Sequence, residues 1–246
     1  MSLAGDASVR TARRRVYRAG LVSVLVRKFQ HGIDLAQNAP DFVRSPGLHM
    51  SDIYNSMFKG LDPERYDKRD EDGNPEELNH AKVGAGSGFE RMFEPLLQQV
   101  YGGDRPGELF TQHARDCSCA GTPVRDGSIL CHCGAGIAYS PDWIFPQLVL
   151  GELKFSWYSE RDFPANEKFD KWVCQCQSYL FHLRFCTVWV FPFWVNGAYP
   201  RGADKKFAPP TPNFDDAYEL TFTVKELTNN WNDLLRHAWR KGMLPA

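Results

Sequence analysis

Glu152 and Lys154 stand two residues apart in Gly151-Glu152-Leu153-Lys154-Phe155. In a strand, alternate side chains share a face, so both would look the same way. A carboxylate there can hold Mg²⁺, and a neighbouring lysine can orient a water or stabilise phosphoryl charge. A Glu-x-Lys tripeptide arises by chance about once in a chain of this size. Taken alone it reads better as an exposed, salt-bridging strand. Pro141-Asp142 shifts the balance, because Asp142 precedes Glu152 by ten residues. A short hairpin between them would set Asp142 beside Glu152. Two carboxylates and a lysine would then converge, an arrangement that burial penalises unless the charges are paired or metal-bound.

A second set of chemically capable residues lies upstream. Cys117-x-Cys119 and Cys131-x-Cys133 place four thiols within 17 residues, with His113 and His132 nearby. Four thiolates suit a tetrahedral Zn²⁺ and leave no open position for water, which marks a structural site. Large apolar residues between them are few, chiefly Val124, Ile129 and Leu130. Such a stretch cannot offset its own ordering entropy, and a metal would fix it locally. Cys174, Cys176 and Cys186 read as core residues.

These side chains need elements to hold them. Residues 12–30 read as a basic helix, and His49 to Phe58 as a second helix with Ser51 as its cap. The acidic stretch 62–80 reads as an exposed loop. Gly84-Ala85-Gly86-Ser87-Gly88 reads as a break before a helix carrying Phe89, Met92, Phe93, Leu96, Leu97 and Val100, with a kink or displaced start at Pro95. Residues 108–140 suggest hairpins. The runs Ala138–Phe145 and Leu148–Phe155 predict a strand pair turning near Pro146-Gln147, with Leu148 and Leu150 on the face of Glu152. Glu167 to Phe185 is amphipathic, with Phe169, Trp172, Val173, Cys176, Leu180 and Leu183 as its stripe. Thr187–Val195 reads as a buried strand, 197–213 as a loop, and Tyr218–Val224 as a strand. A capping box, Thr223 to Glu226, opens the last helix. The sum is a single α/β domain over 1–246, with a central mixed sheet flanked by helices, a helical basic N-terminal region over 1–60 and a cysteine-rich hairpin inserted over 113–136.

Bulk properties agree with a globular chain: 246 residues, 43% hydrophobic, 24% charged, net charge −1. No run is long and apolar enough to span a bilayer, and no secretory signal is evident, so a cytoplasmic protein with no membrane partner is expected. Arg10, Arg13, Arg14, Arg15, Arg18, Arg27 and Lys28 concentrate positive charge near the N-terminus. Such an arm can neutralise phosphates, or simply be a solvated charged face.

Pro141-Asp142 followed by Glu152-x-Lys154 resembles the PD-(D/E)xK nuclease superfamily. Gly86-Ser87-Gly88-Phe89-Glu90 resembles its Gly-x-x-x-Glu element. Gln175-Cys176-Gln177-Ser178-Tyr179 resembles the Gln-x-x-x-Tyr element of the RecB-like and lambda-exonuclease-like branch, and Gln175 and Tyr179 share one helical face. His49-Met50-Ser51-Asp52-Ile53 resembles that branch's N-terminal segment more loosely. The resemblance covers residues 45–240. It implies a restriction-endonuclease-like core with Asp142, Glu152, Glu90 and the Leu153 carbonyl around Mg²⁺ or Mn²⁺. It further implies that Lys154 positions or activates the nucleophile, that Gln175 orients Lys154 or a phosphate, and that Tyr179 packs behind. The implied activity is hydrolysis of DNA, most simply by an exonuclease processing ends in recombination, repair or phage replication, with a possible recombination partner protein. The cysteines depart from the iron–sulfur pattern of the helicase-linked relatives, because none precedes Cys117. Trp157 and Tyr158, directly after the Glu-x-Lys strand, are the first candidates for stacking on substrate bases. Three other readings stay open: an endonuclease of the same superfamily, a catalytically inactive zinc-containing nucleic-acid-binding module, and a protein–protein adaptor.

Overall fold

The computed structural model of the chain describes residues 10–16, 22–30, 47–66, 80–113, 117, 122–123, 129–130, 132–156, 167–195 and 216–244. Strands β1 (Arg10–Val16) and β2 (Val22–Gln30) pair antiparallel, with Val16 opposite Val22. The helix predicted over 12–30 is therefore a hairpin. Val22, Val24 and Val26 recur at period two, and β-branched residues favour a pleated surface over a helix.

Among the described residues, six strands form one sheet in the order β1-β2-β10-β9-β8-β7. Here β7 is Trp143–Phe145, β8 is Val149–Ser156, β9 is Thr187–Trp194 and β10 is Asp216–Thr221. All neighbours are antiparallel except β8 and β9, which run parallel with Glu152 opposite Val190. Parallel neighbours need a crossover, and α4 (Glu167–Leu183) lies within it. The architecture is α/β, a mixed sheet flanked by helices. No helix among the described residues is long and apolar enough to cross a membrane.

Each sheet face has its own apolar cluster. Leu150, Val188, Val190 and Leu220 pack with α1 (Met50–Leu61), α4 and α5 (Val224–Arg240). On the other face Trp143, Phe145, Leu153, Trp189 and Phe191 pack with Phe89, Phe93 and Leu97 of α3 (His80–Tyr101). Strand alternation thus assigns Glu152 and Lys154 to the α4 side. Helices α4 and α5 are also joined by buried polar groups: the Asn230 amide donates to the Cys174 carbonyl at 3.2 Å and to Ser178 Oγ at 3.1 Å.

Several local expectations need correction. Helix α3 runs through the Gly84–Gly88 stretch and past Pro95. Glycine weakens a helix by only about 1 kcal/mol per residue, less than the packing of Phe89 and Phe93 supplies. The N-cap of α1 is His49, not Ser51, and the His49 amide donates to the Asp52 carboxylate at 3.1 Å. Within the predicted acidic loop, Pro63–Tyr66 forms the short helix α2, held by edge-on contact between the rings of Phe58 and Tyr66 at 5.2 Å; residues 67–79 lie outside the described set. Leu148 does not share the strand face: it is a turn residue with φ 59° and is 64% exposed. Cys186 is exposed, unlike the buried Cys174 and Cys176. Two further short pairs lie among the described residues: β3 (Leu109–Phe110) with β6 (Ala138–Tyr139), and β4 (Thr122–Pro123) with β5 (Ile129–Leu130).

Candidate active site

The β7–β8 hairpin builds the centre. Its register pairs Trp143 with Gly151, so Asp142, one residue earlier, comes level with Glu152. Asp142 is held there by the Leu153 amide, which donates to its Oδ2 at 2.7 Å. Gly151 is what lets β7 lie this close. A Cβ built on it would stand 2.8 Å from Trp143 Cβ and 2.9 Å from Phe145 Cε2. Gly151→Ala is therefore expected to push β7 away from β8, to destabilise the protein by about 1–3 kcal/mol and to displace Asp142. Equilibrium denaturation would measure the first effect, and an unchanged midpoint would refute it.

Glu152 is fully buried. Its Oε2 accepts from Lys154 Nζ and, at 3.2 Å, from Gln175 Nε2. Lys154 Nζ also donates to Gln175 Oε1 at 3.1 Å, and Gln175 Nε2 reaches the Tyr179 hydroxyl at 3.3 Å. Gln175 and Tyr179 are one turn apart on α4, which is why both point at the same strand end. The Tyr179 ring lies 5.5 Å from that of Tyr139, on the segment leading to Asp142. Glu90 reaches the group from α3, close enough for the charges of Asp142 and Lys154 to act on it.

Electrostatics set this cluster apart. Burial and the Asp142 charge push Glu90 up to about 8, against the pull of Lys154. Burial likewise pushes Glu152 up to about 8, opposed by Lys154 and reinforced by Asp142. The Asp142 carboxyl is raised by burial too, although Lys154 and the Leu153 amide favour its charge. For Lys154 burial alone would favour the neutral amine, but the charges of Glu152 and Asp142 outweigh it and the pKa rises. Too much negative charge is thus confined here for one lysine to balance.

Sequence reasoning missed two contributors. Tyr54 of α1 is buried, its hydroxyl pKa is raised by burial, and the charges of Lys154, Glu152 and Asp142 all act on it. The stripe Met50, Ile53, Tyr54, Met57 and Phe58 was the available signal. Arg105 makes an ion pair with Glu94, and its charge also reaches Glu90 and Asp142; no motif surrounds it. Trp157 and Tyr158 lie outside the described residues, as do Cys119 and Cys131. Cys117 and Cys133 come together with His113, their ligand atoms all within 4.8 Å of one another.

No family model matches this chain, and no curated protein matches it. One solved structure, reported as "Crystal structure of SSO0001", is similar at 14% identity and a TM-score of 0.42, over 82% of this chain and 78% of its own. A likeness of that degree carries no argument.

Proposed function

We propose that this chain is a divalent-metal-dependent nuclease of the PD-(D/E)xK type, with a restriction-endonuclease-like core, acting on DNA. The observation that carries the reading is Glu152 Oε1. It is a buried carboxylate oxygen with no hydrogen-bond partner among the described residues, inside a cluster where three carboxyl pKa values are raised. An orphaned acceptor in such surroundings fits a hard cation, which takes oxygen ligands. Asp142, Glu152, Glu90 and the Leu153 carbonyl would hold Mg²⁺ or Mn²⁺.

Bound there, the cation supplies a water of lowered pKa and charge stabilisation at the scissile phosphate. Lys154, held by Glu152 and Gln175, stays protonated and presents its ammonium to the attacking water or a phosphoryl oxygen. Gln175 is a positioning residue: it bridges Lys154, Glu152 and Tyr179, fixing the ammonium relative to the carboxylate. Tyr179 closes the back of the bridge, and its ring contact with Tyr139 ties α4 to the Asp142 segment. DNA contacts would fall mainly on backbone phosphates. Among such enzymes we favour an exonuclease that processes ends during recombination, repair or phage replication, acting in the cytoplasm beside a recombination partner protein.

The deciding assay incubates the protein with linear, nicked and closed circular DNA in Mg²⁺, Mn²⁺ or chelator. Metal-dependent loss of linear DNA with circles spared supports the exonuclease; cleavage of circles gives the endonuclease; no cleavage in any metal refutes the nuclease. Within an active protein, Gln175→Ala is expected to lower single-turnover rate by about 10²-fold, the scale of a small misplacement, with DNA affinity nearly unchanged. A pure affinity loss would make Gln175 a substrate-binding residue instead.

A further inference from the structure

We infer a second metal site, separate from the carboxylate cluster, in which His113, Cys117 and Cys133 ligate zinc. This site stands independently of the nuclease reading. The sequence pointed to an all-cysteine set; the structure brings an imidazole into it. His113 Nδ1 lies 3.6 Å from Cys133 Sγ. Around a tetrahedral zinc, a nitrogen at ~2.0 Å and a sulfur at ~2.3 Å stand ~3.5 Å apart. The Cys117 sulfur completes a triangle whose ligand atoms are all within 4.8 Å. Imidazole and thiolate are soft and borderline donors, which select zinc over Mg²⁺ or Ca²⁺.

Backbone and Thr111 hydrogen bonds hold the segments that carry His113 and Cys133 together. Thr111, two residues before His113, is buried, and its Oγ donates to the Gly134 carbonyl while accepting from the Ile137 amide at 2.9 Å. Its own amide donates to the Ile137 carbonyl at 2.9 Å, and its carbonyl accepts from the Gly136 amide at 2.7 Å. The chain segments bearing His113 and Cys133 are therefore clamped together one or two residues from the ligands. Gly134, next to Cys133, has φ 79°, and a Cβ there would stand 2.4 Å from Leu235 Cδ2 and 2.9 Å from Trp231 Cζ2. This close approach seats the ligand loop directly on α5. The same segment continues through β6 to Asp142, so the metal braces the strand that delivers a carboxylate to the other site.

In this structure the sulfurs of Cys117 and Cys133 are each disulfide-bonded, so the zinc site belongs to the reduced protein, where both are thiolates. Zinc ligation and a disulfide are exclusive fates for them, and experiment separates the two. Protein purified under reducing conditions without added metal should contain close to one zinc per chain by elemental analysis. His113→Ala should weaken zinc retention against a competing chelator by more than the ~10–100-fold loss typical of outer-shell partners. Cobalt(II) substituted into the wild type should give the intense visible bands of a tetrahedral site and a thiolate charge-transfer band. His113→Cys should keep one metal per chain and strengthen the charge-transfer band, which guards against a merely misfolded alanine variant. Absence of zinc with a disulfide found by mass spectrometry would overturn the site. Zinc retained in His113→Ala with wild-type affinity and an unaltered cobalt spectrum would overturn the assignment of His113.

Discussion

Glu152→Gln is expected to lose metal-dependent DNA cleavage by about 10³-fold or more, the scale on which single electrostatic groups act at reacting centres, while the protein remains folded. The amide matches the carboxylate in shape and can still accept from Lys154 and donate elsewhere. What it lacks is the charge that an ion needs. Because burial and the neighbouring Asp142 already disfavour that charge, its removal relieves a penalty in the metal-free protein. The thermal midpoint in chelator should therefore stay within a few degrees of wild type or rise. Lys154→Met complements the test, since it deletes the ammonium from the same strand face and should also abolish turnover. Wild-type cleavage by both variants would mean that this cluster is not the active site. Loss of activity together with collapse of the fold would be uninformative, which is why glutamine and methionine are preferred to alanine.

The second large effect is a metal-dependent stability that grows with pH. Glu90 and Glu152, each pushed up to about 8, bind protons more tightly in the folded protein than in the unfolded chain, where a glutamate titrates near ~4.3. Between those values the folded state holds the extra protons. Stability from these groups is thus greatest at low pH and declines as pH rises through about 8. Asp142, also raised, acts in the same sense. Lys154 is protonated in both states across this window and adds no slope. In chelator the thermal midpoint should therefore fall from pH 6 to 9 (roughly this range brackets the shifted carboxyls). Mg²⁺ competes with the protons, so its stabilising effect should increase over the same interval. An ion at about 100 times its Kd adds about 2.7 kcal/mol, equivalent to roughly 5–10 °C for a chain of this size. Differential scanning calorimetry with and without Mg²⁺ measures both slopes. Superimposable midpoints across the range would remove the ion from the cluster.

The centre of the fold was legible because its signals are local. Trp143 and Phe145 alternate in β7, Leu150 and Leu153 serve the two opposite faces of β8, and the turn at Pro146-Gln147 sits between the strands. The stripe of α4 and the Thr223–Glu226 box of α5 are equally self-contained; the Glu226 amide donates to Thr223 Oγ1 at 3.2 Å. Where reading failed, tertiary contacts had overruled local preference. Arginines dominated the impression of residues 10–16, yet pairing with the valines of β2 makes them a strand. Glycines suggested a break that α3 ignores, because its apolar face is committed to the sheet. At the site, Asp142, Glu152 and Lys154 share one hairpin and could be placed together from spacing. His113 stands near the cysteines in sequence, but spacing does not say which of His113 and His132 joins them. Tyr54 and Arg105 join elements remote in sequence, and no spacing rule reaches across them. The Asn230 bond to Cys174 spans 56 residues and was invisible for the same reason.

The two oxygens of Glu152 are unequal: Oε2 is engaged by Lys154 and Gln175, and Oε1 is buried with no hydrogen-bond partner among the described residues. Under the function proposed here, this residue would offer a cation a single point of attachment and could not chelate it. That inequality becomes a filter on ionic radius. Mg²⁺ binds through one or two carboxylates and keeps several of its waters, whereas Ca²⁺ gathers six to eight oxygens at longer distance and often grips a carboxylate by both. Calcium would lose its two-oxygen grip at Glu152 and would have to complete its larger shell from other oxygens, whereas Mg²⁺ would need only the one.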